Sequence, residues 1–140
     1  MKPTIRIAAL SLIASTLAAA LPAYAHHSFA AEYDASKPIK LTGKITKVEW
    51  TNPHIFIYLD VPDEKTGAVV NWALELGAPN ALMRLGWKRD SLKINDVVIV
   101  DGTLAKDGSN LANATTIVLQ ATGQRMLAGS SGGSQPADKQ

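Results

Sequence analysis

The chain has no cysteine among its 140 residues. That absence excludes a disulfide framework and removes thiolates from any metal site, leaving nitrogen and oxygen as the strong donors, with methionine as a soft auxiliary. The patterns that announce common catalysts are missing as well. There is no Gly-x-Ser-x-Gly elbow, no phosphate-cradling glycine loop and no His-Glu-x-x-His pair. Beyond residue 25 no stretch is apolar enough to span a bilayer, so no membrane anchor is expected. An excess of one charge is lacking too. Lys2 and Arg6 account for two of the 14 basic residues and none of the 12 acidic ones precedes residue 26, so the remainder carries twelve of each sign. A balanced chain has no clustered phosphate-binding footprint, which argues against a nucleic-acid partner.

What is present begins with a leader. Met1 to Arg6 is basic, Ile7 to Leu21 is an almost unbroken run of Ala, Leu and Ile, and Pro22 separates it from Ala23-Tyr24-Ala25. The apolar run is about 15 residues against the ~20 needed to cross a bilayer, so residues 1–25 read as a signal peptide cleaved after Ala25. The mature protein is then periplasmic or secreted and begins His26-His27. A cut two or three residues away would remove that terminal histidine. Cleavage leaves 115 of the 140 residues, enough for one domain with a modest core.

Three regions follow: an N-terminal arm over residues 26–38, a patterned domain over 39–122, and a Gly/Ser-rich tail over 123–140 whose composition predicts disorder. Ile39, Leu41, Gly43 and Ile45 alternate with polar residues, and Val48 and Trp50 continue one residue out of phase, which predicts a β-bulge near Lys47. Ile55, Ile57, Leu59 and Val61 form one face of a second strand, with His54, Phe56, Tyr58 and Asp60 on the other. After the turn Pro62 to Gly67, Val70, Trp72, Leu74 and Leu76 line one side of a third, completing a meander.

The period then changes. Ala78 to Trp87 has a proline at its start, apolar Leu82, Met83 and Leu85, and a glycine stop, which predicts one helix of two to three turns with Met83 in the core. Strand character resumes from Val97 to Leu104, Lys106 to Ser109 make a turn, and Ala114 to Ala121 is the fifth strand. The fold class is therefore all-β with one short helix. Its order and its glycine-bearing fourth strand describe a five-stranded OB-like barrel, with a small antiparallel β-sandwich as the alternative.

The arm His26-His27-Ser28-Phe29-Ala30-Ala31-Glu32-Tyr33-Asp34, the strand Leu41 to Trp50 leading into Thr51-Asn52-Pro53-His54, and the later Leu85-Gly86-Trp87 and Asp101-Gly102 carry a family likeness. On these residues the chain resembles an exported bacterial family catalogued as domain of unknown function 6152. The resemblance implies export and a small β-barrel and supplies no activity.

Function is therefore argued from the three histidines. His26 and His27 stand at the expected mature terminus, and His54 follows a proline at the entry to the second strand. The freed α-amine and Nδ1 of His26 can chelate one ion, and an opposing imidazole from His54 completes a three-nitrogen site of the histidine-brace type. Such donors favour copper, as Cu(II), over other divalent ions. His27 assists through its imidazole and the intervening amide, and Glu32, Asp34 or Glu49 could orient an imidazole or take an axial position. The competing reading of a terminal His-His pair is adventitious chelation. Asn52 suits an Asx-type turn.

An alternative of another class is a metal-free OB-fold binding module that takes a small molecule, glycan or partner protein on an aromatic face of Trp50, Phe56 and Tyr58. Trp72 and Trp87 read as core, and Lys44 and Lys47 as solvated edge charges. Catalysis has little support. Asp60 and Glu75 could face each other across strands two and three, and a copper oxidase or oxygenase would need a broad substrate face that this chain barely accommodates. The favoured expectation is copper buffering or delivery with a periplasmic copper-handling partner.

Overall fold

The computed structural model of the chain describes residues 29–129. The expected leader and the first two histidines lie outside the described residues. A four-residue helix α1 (Phe29–Glu32) leads directly into β1 (Tyr33–Glu49), followed by β2 (Phe56–Pro62), β3 (Val69–Glu75), the helix α2 (Pro79–Arg84), β4 (Val97–Ala105), β5 (Leu111–Leu119) and a short β6 (Arg125–Leu127).

The strands close into a ring. β1 pairs with β2, β2 with β3, β5 with β4 and β4 with β1, all antiparallel, while a parallel pairing of β3 with β5 seals the circle. That circuit, with a helix between β3 and β4, is the five-stranded OB-like barrel, and the strands of the described residues form one sheet rather than two facing ones. Closure depends on the length of β1. Its first part, through Lys44, pairs with β4, and from Lys44 onward it pairs with β2, so one strand bends across two neighbours. The predicted bulge lies at this bend, where the register slips between Ile45 and Lys47. Two glycines allow close approach. A Cβ on Gly43 would sit 2.7 Å from the Asp60 carbonyl oxygen, and one on Gly102, at a second register slip, 2.5 Å from that of Asn113.

The inward phase of each strand fills the ring. Ile45, Ile57, Leu59, Leu74, Val98, Val100 and Ile117 are essentially inaccessible to solvent. α2 contributes Leu82, fully buried, and its chain turns back at Gly86, where φ is +92°. Trp87 then enters the core with its indole N–H on the Leu127 carbonyl at 2.8 Å.

Several boundaries differ from the sequence reading. β1 starts at Tyr33 rather than near 39, because the expected arm pairs with the end of β4: Tyr33 lies opposite Ala105. The expected tail is ordered through its first residues, because β6 pairs with β5 and carries Met126 and Ala128 into the core. β5 begins at Leu111, three residues early, because Leu111 to Asn113 pair with β3. α2 is only six residues, and Met83 points to solvent at 48% exposure, since only Leu82 of the apolar trio faces inward. β1 lies between two strands, so Lys44 and Lys47 are not edge charges.

Candidate functional site

His54 stands just before β2, and backbone bonds beyond the strand ends fasten it. The Leu76 N–H donates to the Ile55 carbonyl at 2.8 Å and the Ile55 N–H to the Gly77 carbonyl at 3.2 Å. Those bonds lay residues 54 and 55 alongside the end of β3. Alternation does the rest: Ile55 and Ile57 turn into the barrel, and His54 and Phe56 turn out. At the end of β3, Leu74 and, one residue past the strand, Leu76 turn in, and Glu75 turns out, opposite Phe56 on one side and Asn113 of β5 on the other.

An outward-facing glutamate would ordinarily be solvated, yet Glu75 is only 6% exposed. Two groups cover and satisfy it. His54 Nδ1 pairs with Oε1, and the Tyr33 hydroxyl donates to Oε2. Both carboxylate oxygens thus receive donors, which is the condition under which a buried carboxylate is tolerated. With Nδ1 engaged by the carboxylate, Nε2 is the ring nitrogen left free, and the side chain remains 29% exposed. Tyr33 is 2% exposed, and burial first and then donation to Glu75 hold its phenol protonated far above its ordinary range.

The arm reaches this cluster through its own contacts. The Phe29 and Tyr33 rings, from the first residue of α1 and the first of β1, lie tilted with centroids 5.4 Å apart. Lys106, past the end of β4, donates its backbone N–H to the Glu32 carbonyl at 2.9 Å and its ammonium to the Ala30 carbonyl. The start of the described chain is therefore fixed beside the carboxylate that holds His54.

The carboxylates expected to assist lie elsewhere. Asp34 accepts from the Ser36 N–H and hydroxyl at 3.1 and 2.7 Å and pairs with Lys37 at 3.5 Å. Those hydroxyl and amide donations hold it below its usual carboxylate range. Glu49 takes Lys47 on one oxygen and the Tyr58 hydroxyl on the other at 2.9 Å, which lowers its own pKa and raises that of Tyr58. The Glu32 side chain is exposed. Asn52 is exposed too and begins a cis peptide to Pro53. Asp60 and Glu75 do not face each other: Asp60 lies opposite Asn71, whose amide donates to it at 2.8 Å. Among the described residues no group of three or more His, Asp or Glu side chains converges on one point.

The aromatic candidates are divided. Phe56 and Tyr58 are half-buried on the outer face of β2, with the Lys47 ammonium 5.1 Å from the Tyr58 ring centre. Trp50 packs against the core, with the Arg89 guanidinium 5.9 Å from its ring centre. Trp72 is half-buried against the core and borders a groove of about 600 Å³ that includes Leu41, Val61 and Val70.

Sequence reasoning missed Tyr33 as a partner and gave Glu75 the wrong one. The signals were present: a lone acid inside Trp72-Ala73-Leu74-Glu75-Leu76, and an aromatic pair four residues apart at Phe29 and Tyr33.

A family model described as a family of unknown function, DUF6152, matches residues 14–114. The chain belongs to that family. Comparison with curated proteins returns no match. No helix among the described residues is long and apolar enough to cross a membrane.

Proposed function

We propose that this member of the family is an exported copper-binding protein that buffers or delivers the ion outside the cytoplasm, handing it to a periplasmic partner. In this reading His54 Nε2 is one ligand, the α-amine and imidazole of His26 supply two more, and His27 assists. The observation that carries it is the pairing of His54 Nδ1 with a buried carboxylate. Metal-binding histidines are commonly oriented in this way, with the second ring nitrogen donating to a carboxylate that fixes the tautomer and raises the basicity of the first.

Chain length supports the remaining ligands. Phe29 is stacked on Tyr33 at the edge of the cluster. His26 precedes it by three residues, a reach of at most about 10 Å. A terminal amine exists only after cleavage, so export and metal binding are coupled by one peptide bond. Lacking cysteine, the site uses nitrogen donors, which suit Cu(II).

The test is Cu(II) titration of the processed protein, its terminus verified by intact mass, with electron paramagnetic resonance used to count nitrogen ligands. One tight equivalent whose nitrogen signature changes in His54→Ala, and which weakens when a residue is added before His26, is the expected outcome. Binding indifferent to His54→Ala would reduce the copper to peptide-like chelation at His26 and His27. A binding activity that responds instead to Phe56→Ala and Tyr58→Ala would favour the metal-free module.

A further inference from the structure

Tyr33 is not itself a proposed metal ligand, yet it occupies the second oxygen of the carboxylate that holds His54. It is also the anchor of the segment leading back to His26, through its stacking with Phe29. We propose that Tyr33 is a positioning residue that joins the arm to the His54 imidazole, so that tautomer choice at His54 and docking of the N-terminal arm are one equilibrium. This deepens the copper reading and rests on it.

The chemistry runs through Glu75. A carboxylate buried in this position needs donors on both oxygens. The Tyr33 hydroxyl supplies one, which leaves Oε1 to accept from His54 Nδ1–H and fixes the free lone pair on Nε2. Removing the hydroxyl leaves Oε2 with an unmet acceptor. Glu75 then gains by rotating or drawing in water, and the imidazole is no longer confined to one orientation. The same change removes the side-chain hydrogen bond of the arm to Glu75, leaving, among the described residues, the Phe29 contact, the pairing of Tyr33 with Ala105 and the two Lys106 bonds. An ion bridging His26 and His54 would hold the arm down, and an arm held down keeps Tyr33 on Glu75, so each favours the other.

Two variants test this. Tyr33→Phe keeps the ring and its contact with Phe29 but removes the hydroxyl. Glu75→Gln keeps the shape and an acceptor for Tyr33, but turns an amide N–H₂ toward His54 Nδ1, which selects the opposite tautomer and places the hydrogen on Nε2. The first readout needs no metal: long-range proton–nitrogen correlation of the His54 ring in the metal-free protein. The expected pattern is Nδ1–H in the wild type, a mixture in Tyr33→Phe and Nε2–H in Glu75→Gln. The second is Cu(II) affinity, expected to fall about tenfold in Tyr33→Phe and up to about a hundredfold in Glu75→Gln, the range typical of outer-shell partners.

A purely structural role for Tyr33 would lower thermal stability while leaving the ring signals of the folded protein unchanged, and that result would overturn the proposal. An unchanged tautomer in Glu75→Gln would overturn it as well. Failure of the copper reading is distinguishable, since it is scored by His54→Ala on the wild-type background, whereas the tautomer is scored without any metal.

Discussion

The inside of the barrel and the patch outside it at Glu75 are built on opposite principles. Inside, Ile45, Ile57, Leu59, Leu74 and Val100 bury apolar surface without any polar partner to satisfy, and many combinations of similar volume would fill the ring. Outside, one carboxylate is buried by two side chains that must each place a donor within hydrogen-bond reach. The first arrangement tolerates small movements because apolar attraction is nondirectional. The second does not, because a lost donor leaves one oxygen of a buried carboxylate without its partner. The difference teaches where to look for function in a small barrel: at the place where the molecule has buried something costly rather than where it has buried most.

The comparison can be broken most forcefully from the inside. Leu59→Ala removes a fully buried side chain at the middle of β2 and is expected to cost about 2–5 kcal/mol in chemical unfolding. If the two regions are separate in kind, the His54 ring signals of the molecules that remain folded should be those of the wild type. A changed His54 tautomer in that variant would mean that core and patch are a single packing unit.

A smaller effect is expected from Tyr33→Phe, about 1–3 kcal/mol at neutral pH, because the change leaves one oxygen of the buried Glu75 without its donor. Its pH dependence sharpens the point. The folded protein holds the Tyr33 proton well above the ordinary value of 10.0, whereas the unfolded chain releases it near that value. The folded state therefore binds more protons on the alkaline side. The contribution is complete below about pH 10 and is lost progressively as pH rises beyond it. Urea unfolding at about pH 8 and about pH 11 should show the wild type losing more stability between the two than Tyr33→Phe. Equal losses would count against a buried, donor-only phenol.

The smallest effect belongs to the surface. Glu49, with Lys47 and Tyr58, copies the Glu75 arrangement in composition, one acid shared by a base and a phenol, but on an exposed face. Glu49→Gln should leave the melting temperature almost unmoved and Cu(II) affinity unchanged, because exposed ion pairs contribute little and this one is not a contact of His54. A loss of copper affinity in that variant would return Glu49 to the site and weaken the contrast between the two acids.

The periodic part of the fold was legible because period-2 alternation is a local property. The phase slip at Lys47 marked the bulge, the meander followed from three alternating runs and the two turns between them, and the proline-to-glycine segment marked α2. The ends were less legible. Residues 33–38 and 125–127 lack a strong alternating signal and become strands because β4 and β5 offer them ladder partners. Met83 was misread because a helix of six residues presents only one apolar position inward, and the sequence does not say which.

The site divides in the same way. His54 was legible as a residue type held at the entry of a strand. Its partner was not, because Glu75 looks like any outward-facing acid until Tyr33 covers it. By itself the sequence determined the strand faces, the bulge and the helix, all of which depend on neighbours within a few residues. Tertiary structure alone decided that residues 33, 54 and 75 share one carboxylate, because that contact exists only where ring closure brings the start of β1, the entry of β2 and the end of β3 together.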